Sequence, residues 1–264
     1  FNISPKILNL LKIFKGKSPE HMLWECEDSG VTVQVWEKED RRELRFGNHI
    51  MQSVFYKVRP DYLVLPYSRF MLLGLIFCPE PRSVLHIGLG GGSIARWLHR
   101  EFPQLQQTII EINSGVIEAA HRFFDLPVDQ RLNILHADAT EMITTMTEKF
   151  DLIFLDAYTD FGAPEEVKRE EFLQNLSVRL KAGGWLIGNA WTMTGDFIQQ
   201  CEIWKKTCAH VLQARANQKG NVILFGSQIQ QLQDKQQFKE TAKILQKRHQ
   251  LDFQRMLREL QSVV

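Results

Sequence analysis

Four stretches of the sequence carry residue types that can do chemistry. Gly88-Leu-Gly-Gly-Gly92-Ser93 is a glycine turn; such a turn lets the backbone reverse sharply and brings a ligand against the start of the next helix. Glu111 follows at the distance, about 20 residues, at which an acid can hold both hydroxyls of a ribose. Asp138, in Ala137-Asp-Ala139, can reach an adenine amino group. Asp156 opens Asp156-Ala-Tyr-Thr-Asp160 and can take a proton from a reacting group. Each has a plainer reading. Glu111 and Asp138 precede helical segments and can cap them, and Asp156 can be a cap or turn residue. His86, inside an apolar run, reads as a satisfied core histidine. No GxSxG elbow and no GxxxxGK[ST] loop occurs, which removes serine hydrolases of that type and P-loop NTPases. The turn reads GxGGGS, with Ser93 at the third glycine of a dinucleotide fingerprint, so an S-adenosylmethionine-type site fits better than a dinucleotide one.

Regular alternation must place these residues. Ser83–Ile87 reads as a buried strand, Ser93–Phe102 as a helix stopped by Pro103, Thr108–Ile112 as strand and Ser114–Phe124 as helix. Leu132–His136 is strand, Glu141–Met146 a short helix, Leu152–Leu155 strand, Glu166–Leu180 helix, and Trp185–Gly188 strand after Gly183-Gly184. Such alternation means a parallel sheet covered on both faces, with all four chemical features at the carboxyl ends of its strands, where open α/β sheets bind ligands. Helix Phe197–Thr207 and strands near 211–214 and 222–225, joined by a turn at 217–221, append a β-hairpin. The expected fold class is α/β, a class I S-adenosylmethionine-methyltransferase-like (Rossmann-like) seven-stranded sheet with a small N-terminal β-domain and C-terminal helices.

Three zones follow. Residues 1–78 begin with a basic amphipathic helix capped at Ser4-Pro5, with Ile3, Ile7, Leu10 and Phe14 on one face, expected to pack on the body. They continue with a hairpin of Val31–Trp36 and Glu43–Phe46, then a helix over Tyr67–Phe77 stopped by Pro79. Residues 79–226 are the core. Residues 227–264 are glutamine-rich, and Phe253, Leu257, Leu260 and Val264 repeat at helical spacing, as surface helices docked on the body or a partner-binding or coiled-coil contact.

Composition bounds the rest. The 264 residues carry 32 Lys plus Arg against 31 Asp plus Glu, so a general nucleic-acid coat is not expected. Cys26, Cys78, Cys201 and Cys208 show neither CxxC nor His partners at metal spacing and read as reduced core thiols of a cytoplasmic protein, with no metal. No apolar run reaches the ~18 residues of a membrane span. Phe1 is not a methionine, so the natural start is left open.

Arg45-Phe-Gly-Asn-His-Ile-Met-Gln52-Ser53, Tyr67, Val84-Leu-His-Ile-Gly-Leu-Gly-Gly-Gly92, Ile110-Glu-Ile-Asn113, Ala137-Asp138, Phe150-Asp-Leu-Ile-Phe-Leu-Asp156 and Gly162-Ala-Pro-Glu165 together resemble the polyamine aminopropyltransferases, or spermidine synthases, from about Val31 to Phe225. The resemblance implies a small N-terminal β-domain before a methyltransferase-like core. It implies Gln52 near the donor nucleoside, Glu111 on the ribose and Asp138 beside the adenine. Gly88, Gly90 and Ala139 complete the expected donor-binding set. Asp156 falls on the first Asp of the family's D-S-[ST]-D-P loop, the base toward the attacking amine. Asp160 resembles the second Asp, one residue late, and Tyr67 the tyrosine of a Y-H-E segment near the polyamine. Tyr158, Tyr67 and Trp191 are candidate walls around the acceptor, with Asp160 and Glu165 as partners for a distal ammonium.

The sequence departs from the family at two places. Gly91 stands where the glycine loop carries the aspartate that holds the donor's aminopropyl amine. Ser68-Arg69 follow Tyr67, which removes the Y-H-E acid and adds a cation. The expected function is transfer of an aminopropyl group from decarboxylated S-adenosylmethionine to an amine such as putrescine. The alternatives are a methyltransferase using intact S-adenosylmethionine, a choice favoured by Gly91, and a catalytically inactive or assembly protein. The expected partner is a small-molecule amine, without nucleic acid or membrane span, in a possible homodimer.

Overall fold

The structure, a computed structural model, describes residues 19–28, 30–47, 50–158, 162–216, 220–229 and 234–263. The helix expected from Ser4, residues Asp160 and Val264, and most of the turn at 217–221 lie outside them.

A four-stranded antiparallel sheet comes first: β1 (His21–Asp28), β2 (Val31–Lys38), β3 (Arg41–Phe46) and β4 (Ile50–Tyr56), in that order. The expected hairpin is its centre, with Val33 opposite Phe46 and Val35 opposite Leu44. These four side chains and Phe55 bury against Val116, Ala119 and Phe124 of the core. The flanking strands carry no clean sequence signal. β1 is an edge strand with a register shift between Met22 and Trp24, so its alternation is broken.

A short helix, α1 (Pro66–Met71), starts on proline and runs into a 3-10 turn, Leu72–Ile76, whose five residues are all buried. Then come β5 (Ser83–Ile87), α2 (Ser93–Glu101), β6 (Gln106–Glu111), α3 (Ser114–Phe123), β7 (Leu132–His136), α4 (Ala139–Thr145) and β8 (Phe150–Leu155). Helices α5 (Glu165–Lys168) and α6 (Glu170–Ser177) lead to β9 (Leu180–Trp191), α7 (Phe197–Thr207), β10 (His210–Arg215) and β11 (Asn221–Ser227). The chain ends with α8 (Lys235–His249), α9 (Phe253–Arg258) and β12 (Leu260–Ser262).

The second sheet has strand order β12-β10-β11-β9-β8-β5-β6-β7. Its β9-β8-β5-β6-β7 part is parallel, and β11 and β10 add antiparallel. The helical crossovers required between parallel strands explain the strand–helix alternation. Seven strands were expected; the eighth is β12, where Leu260 pairs with Ala214. Read on periodicity alone, Leu260 continues the helix of Phe253 and Leu257. The unpaired edge of β10 offers backbone donors and acceptors that a helix end does not satisfy, and the chain pairs with it instead.

Two further bounds differ from expectation. The helix expected over Glu166–Leu180 is two helices, broken where Arg169 adopts an extended backbone (ψ 146°). Strand β9 starts before Gly183-Gly184. A Cβ at Gly184 would stand 3.0 Å from the carbonyl oxygens of Lys181 and Phe150, so glycine lets this strand pass close to its neighbour.

The C-terminal helices dock on the sheet. Phe238, Ala242, Leu245, Phe253 and Met256 join the core built on Leu72, Phe77 and Trp185, where the Phe77 and Trp185 rings stack at 3.9 Å. Asp234 and Gln237 form a reciprocal capping box that starts α8.

Candidate active site

The carboxyl ends of the five parallel strands converge on one cavity of about 540 Å³. It is lined at strand ends by Gly88, Glu111, Asp138, Asp156 and Asn189, and from other elements by Gln52, Tyr67 and Tyr158. Gly90, Ala139 and Trp191 line it as well. Apart from Glu165, every expected site residue that falls within the described residues therefore lines one space; Asp160 is outside them.

The glycine turn is shaped by close approach. Gly88 has φ +92°, and a Cβ there would lie 2.4 Å from the backbone oxygen of Asp156. Gly88 N–H donates to the Ile110 carbonyl, and Asp156 N–H donates to the Ile87 carbonyl, both at 2.9 Å. The turn is thus sewn to the ends of β6 and β8. Gly92, at φ +66°, is the N-cap of α2.

Glu111 is buried and accepts from the Leu89 N–H at 2.8 Å and the Asn113 N–H at 3.0 Å. Burial raises its pKa, and the backbone donors oppose that rise. It is not the cap of α3; Asn113 does that work, accepting from Val116 N–H at 3.0 Å. Asp138 does both jobs. Its Oδ1 caps α4, accepting from Thr140 N–H and Oγ1–H at 2.7 Å each, while the residue also lines the cavity.

Asp156 lies between three polar side chains. Asn189 Nδ2 donates to its Oδ1 at 3.0 Å, and the Tyr67 hydroxyl hydrogen-bonds to it. Desolvation raises its pKa, and these two donors pull it back. Burial, and then the Asp156 charge, push the Tyr67 hydroxyl well above the usual phenol range. Tyr158 donates to the Asn189 carbonyl at 2.7 Å, its pKa raised by burial and then by Asp156, and its ring lies 5.7 Å from Trp191. Sequence reasoning missed Asn189. It lies two residues before the end of β9, directly after the expected strand Trp185–Gly188, and its uncharged amide by itself marks no chemistry.

Glu111, Asp138, Asp156 and Glu166 are the Asp, Glu, Lys and Arg side chains lining the cavity among the described residues, and all four are acids. His86 also borders it, held by Gln107 at 2.9 Å and stacked on Phe154, with burial lowering its pKa to about 4. It is the expected core histidine, neutral at pH 7. Glu165, expected to face a distal ammonium, turns outward and pairs with Lys168; its neighbour Glu166 faces the cavity instead. Arg69 leaves the cavity free of its charge: it donates to the Val64 carbonyl at 3.0 Å and lies over the Tyr62 ring at 5.4 Å.

An open parallel sheet with an acidic, nucleoside-sized cavity across its strand ends defines a transferase of the methyltransferase-like class. The methyltransferase domain family matches residues 84–184. The polyamine aminopropyltransferase of Neisseria meningitidis (serogroup A) is 32% identical over 248 residues, 92% of this chain and 94% of that protein. The chain belongs to the polyamine aminopropyltransferase family. Among solved structures, a probable spermidine synthase from Corynebacterium glutamicum superposes with TM-score 0.71 at 19% identity, covering 83% of this chain and 86% of that one. A spermidine synthase in complex with the transition-state analogue AdoDATO gives 0.68 at 19% identity, covering 88% and 84%. No helix among the described residues is long and apolar enough to cross a membrane.

Proposed function

We propose that the chain transfers an aminopropyl group from decarboxylated S-adenosylmethionine to a small diamine such as putrescine. The observation that carries this reading is the cavity's charge: among the described residues its Asp, Glu, Lys and Arg lining side chains are all carboxylates, and one of them, Asp156, is desolvated and held by hydrogen bonds. A cationic nucleoside donor and a cationic amine both suit such a space. The carboxylate of an intact S-adenosylmethionine would find no Lys or Arg among the described lining residues, which weighs against the methyl-transfer alternative.

In this reading Glu111 holds the ribose hydroxyls, Asp138, its Oδ1 committed to the helix cap, stands beside the adenine, and Gln52 lies near the nucleoside. Gly88, Gly90 and Ala139 let the nucleoside lie close to backbone. The acceptor lies between Tyr67, Tyr158 and Trp191. Its attacking amine has a pKa near 10 as an ordinary ammonium, so a proton must leave. Asp156 accepts that proton, the nitrogen lone pair forms the new N–C bond, and the C–S bond breaks with its electron pair returning to sulfur. The sulfonium is already a good leaving group, so alignment supplies most of the remaining gain, about 7 kcal/mol or more.

The test is a labelled-donor assay with putrescine, run in parallel with decarboxylated and intact S-adenosylmethionine. Transfer of the label from the decarboxylated donor to the amine is expected. Turnover or tight binding with the intact donor alone would overturn the reading in favour of methyl transfer.

A further inference from the structure

We propose that Asn189 and Asn221 form an oriented amide pair that sets the direction and ionisation of Asp156, making both positioning residues for the transfer. The inference deepens the function proposed above and rests on Asp156 being the base there.

The geometry is a chain of polar groups ending on one carboxylate oxygen. Asn221 Nδ2 donates to Asn189 Oδ1 at 3.1 Å, and Asn189 Nδ2 donates to Asp156 Oδ1 at 3.0 Å. An amide has one acceptor end and one donor end, so the first bond dictates the second. While Asn221 presents its N–H to Asn189, the Asn189 N–H must face Asp156. The pair sits on neighbouring antiparallel strands, where Asn189 of β9 lies opposite Ile223 and Asn221 is two residues away. The sheet therefore holds the amides rather than a loop. The main-chain carbonyl of Asn189 accepts from the Tyr158 hydroxyl at 2.7 Å, which fixes the neighbouring ring.

The chemical consequence follows from burial. A desolvated carboxylate tends to protonate, and a protonated Asp156 cannot take a proton from an ammonium. Donors on Oδ1 stabilise the ionised form and fix the plane of the carboxyl group. Tyr67, from α1, is the other donor that reaches Asp156. Tyr158 faces it from its own loop, and Glu111, Asp138 and Glu166 line the same cavity from β6, α4's start and α5, with neutral His86 on β5. Asp196, paired with Lys168, acts on Tyr158. Desolvation favours the protonated form of Asp156, and the Asn189 and Tyr67 donors oppose it.

Four variants test this: Asn189→Ala, Asn189→Asp, Asn221→Ala and Asn221→Asp. The readouts are carboxyl carbon NMR titration of Asp156 and the pH dependence of kcat/KM. Asn189→Ala is expected to raise the Asp156 midpoint by about one pH unit, and Asn189→Asp by more. Asn221→Asp should raise it more than Asn221→Ala, although neither touches Asp156. A carboxylate at 221 takes the Asn189 N–H and turns the amide oxygen toward Asp156, while alanine leaves the amide free to keep its direction. Equal midpoints for Asn221→Asp and Asn221→Ala, or an unmoved midpoint in Asn189→Ala, would overturn the inference. The titration needs no turnover: if the wild-type chain is inert with every donor, the proposed function falls, and the NMR midpoints still decide the amide pair. Should a variant at 189 fail to fold, the pair at 221 carries the test alone.

Discussion

Ser53 fills the space a side chain at position 91 would need. Its Oγ accepts the Gly91 N–H at 2.8 Å, and a Cβ on Gly91 would stand 2.9 Å from the Ser53 Cβ and 3.1 Å from the Phe124 ring. The glycine where the resembling family has aspartate is thus part of a packed contact between β4 and the glycine turn. Restoring the acid should not restore a donor contact. Gly91→Asp is expected to destabilise the chain by roughly 1–3 kcal/mol through overpacking, lowering Tm in a thermal melt, and to reduce donor binding. Gly91→Asp combined with Ser53→Gly should recover much of the lost stability, because the colliding side chain is gone. Equal melting temperatures for wild type and Gly91→Asp would show that the contact is looser than this.

Gly88 passes close against the backbone of Asp156. Its positive φ acts together with the 2.4 Å that would separate a Cβ at this position from the Asp156 carbonyl oxygen. Gly88→Ala should cost about 2 kcal/mol or more, since alanine meets both backbone strain and a clash. Because the displaced atom belongs to the backbone of Asp156, the proposed base, kcat should fall as well as stability. A variant that melts lower but keeps wild-type kcat would show that the Asp156 backbone moves without disturbing its side chain.

The parallel core was legible because β5, β6, β7 and β8 are short, largely apolar runs that give out at Gly88, Glu111, Asp138 and Asp156, and α2 stops before Pro103. Leu132–His136 and Phe197–Thr207 match their expected bounds for that reason. Edge elements were not. β1 is broken by its register shift, β4 keeps no plain alternation, and β12 is three residues recruited by an open edge. In the site, residues whose place follows from chain position were visible: Glu111, Asp138 and Asp156 stand at strand ends and line the cavity. Asn189 was not, because nothing in an uncharged amide announces a partner 33 residues earlier in the chain. The choice between Glu165 and Glu166 also depended on the phase of a four-residue helix, which composition does not set.

Asp28 carries the junction between the two sheets. Its Oδ2 accepts from Ser114 Oγ–H at 2.8 Å and Gly115 N–H at 3.2 Å, so a residue of β1 helps to cap α3, the helix that follows Glu111. Asp28→Ala should cost about 1 kcal/mol as a lost cap. The change should also loosen the small sheet against the core, read as faster hydrogen exchange across β1 and β2. Protection there equal to wild type would mean that the apolar contacts of Val33 and Leu44 hold the junction unaided.

Asp156 links activity and stability with opposite signs. Its folded-state pKa is raised by desolvation, so at a pH below the ordinary carboxylate value it is protonated both folded and unfolded and its contribution to stability is fully present. As pH rises from there through the raised folded pKa, the unfolded chain ionises first and that contribution is lost. Activity runs the other way, since only the ionised form can take the amine's proton. Asp156→Asn should therefore cut kcat/KM by roughly 100- to 10,000-fold while melting at a higher temperature than wild type near pH 7. The difference in Tm between the two proteins should shrink as pH falls through the carboxylate range, because protonated Asp and Asn then present the same charge. Glu111, also raised by burial, is common to both proteins and cancels from that difference. A constant Tm gap from pH 4 to pH 8 would place its origin in packing and remove the ionisation of Asp156 from the stability of the fold.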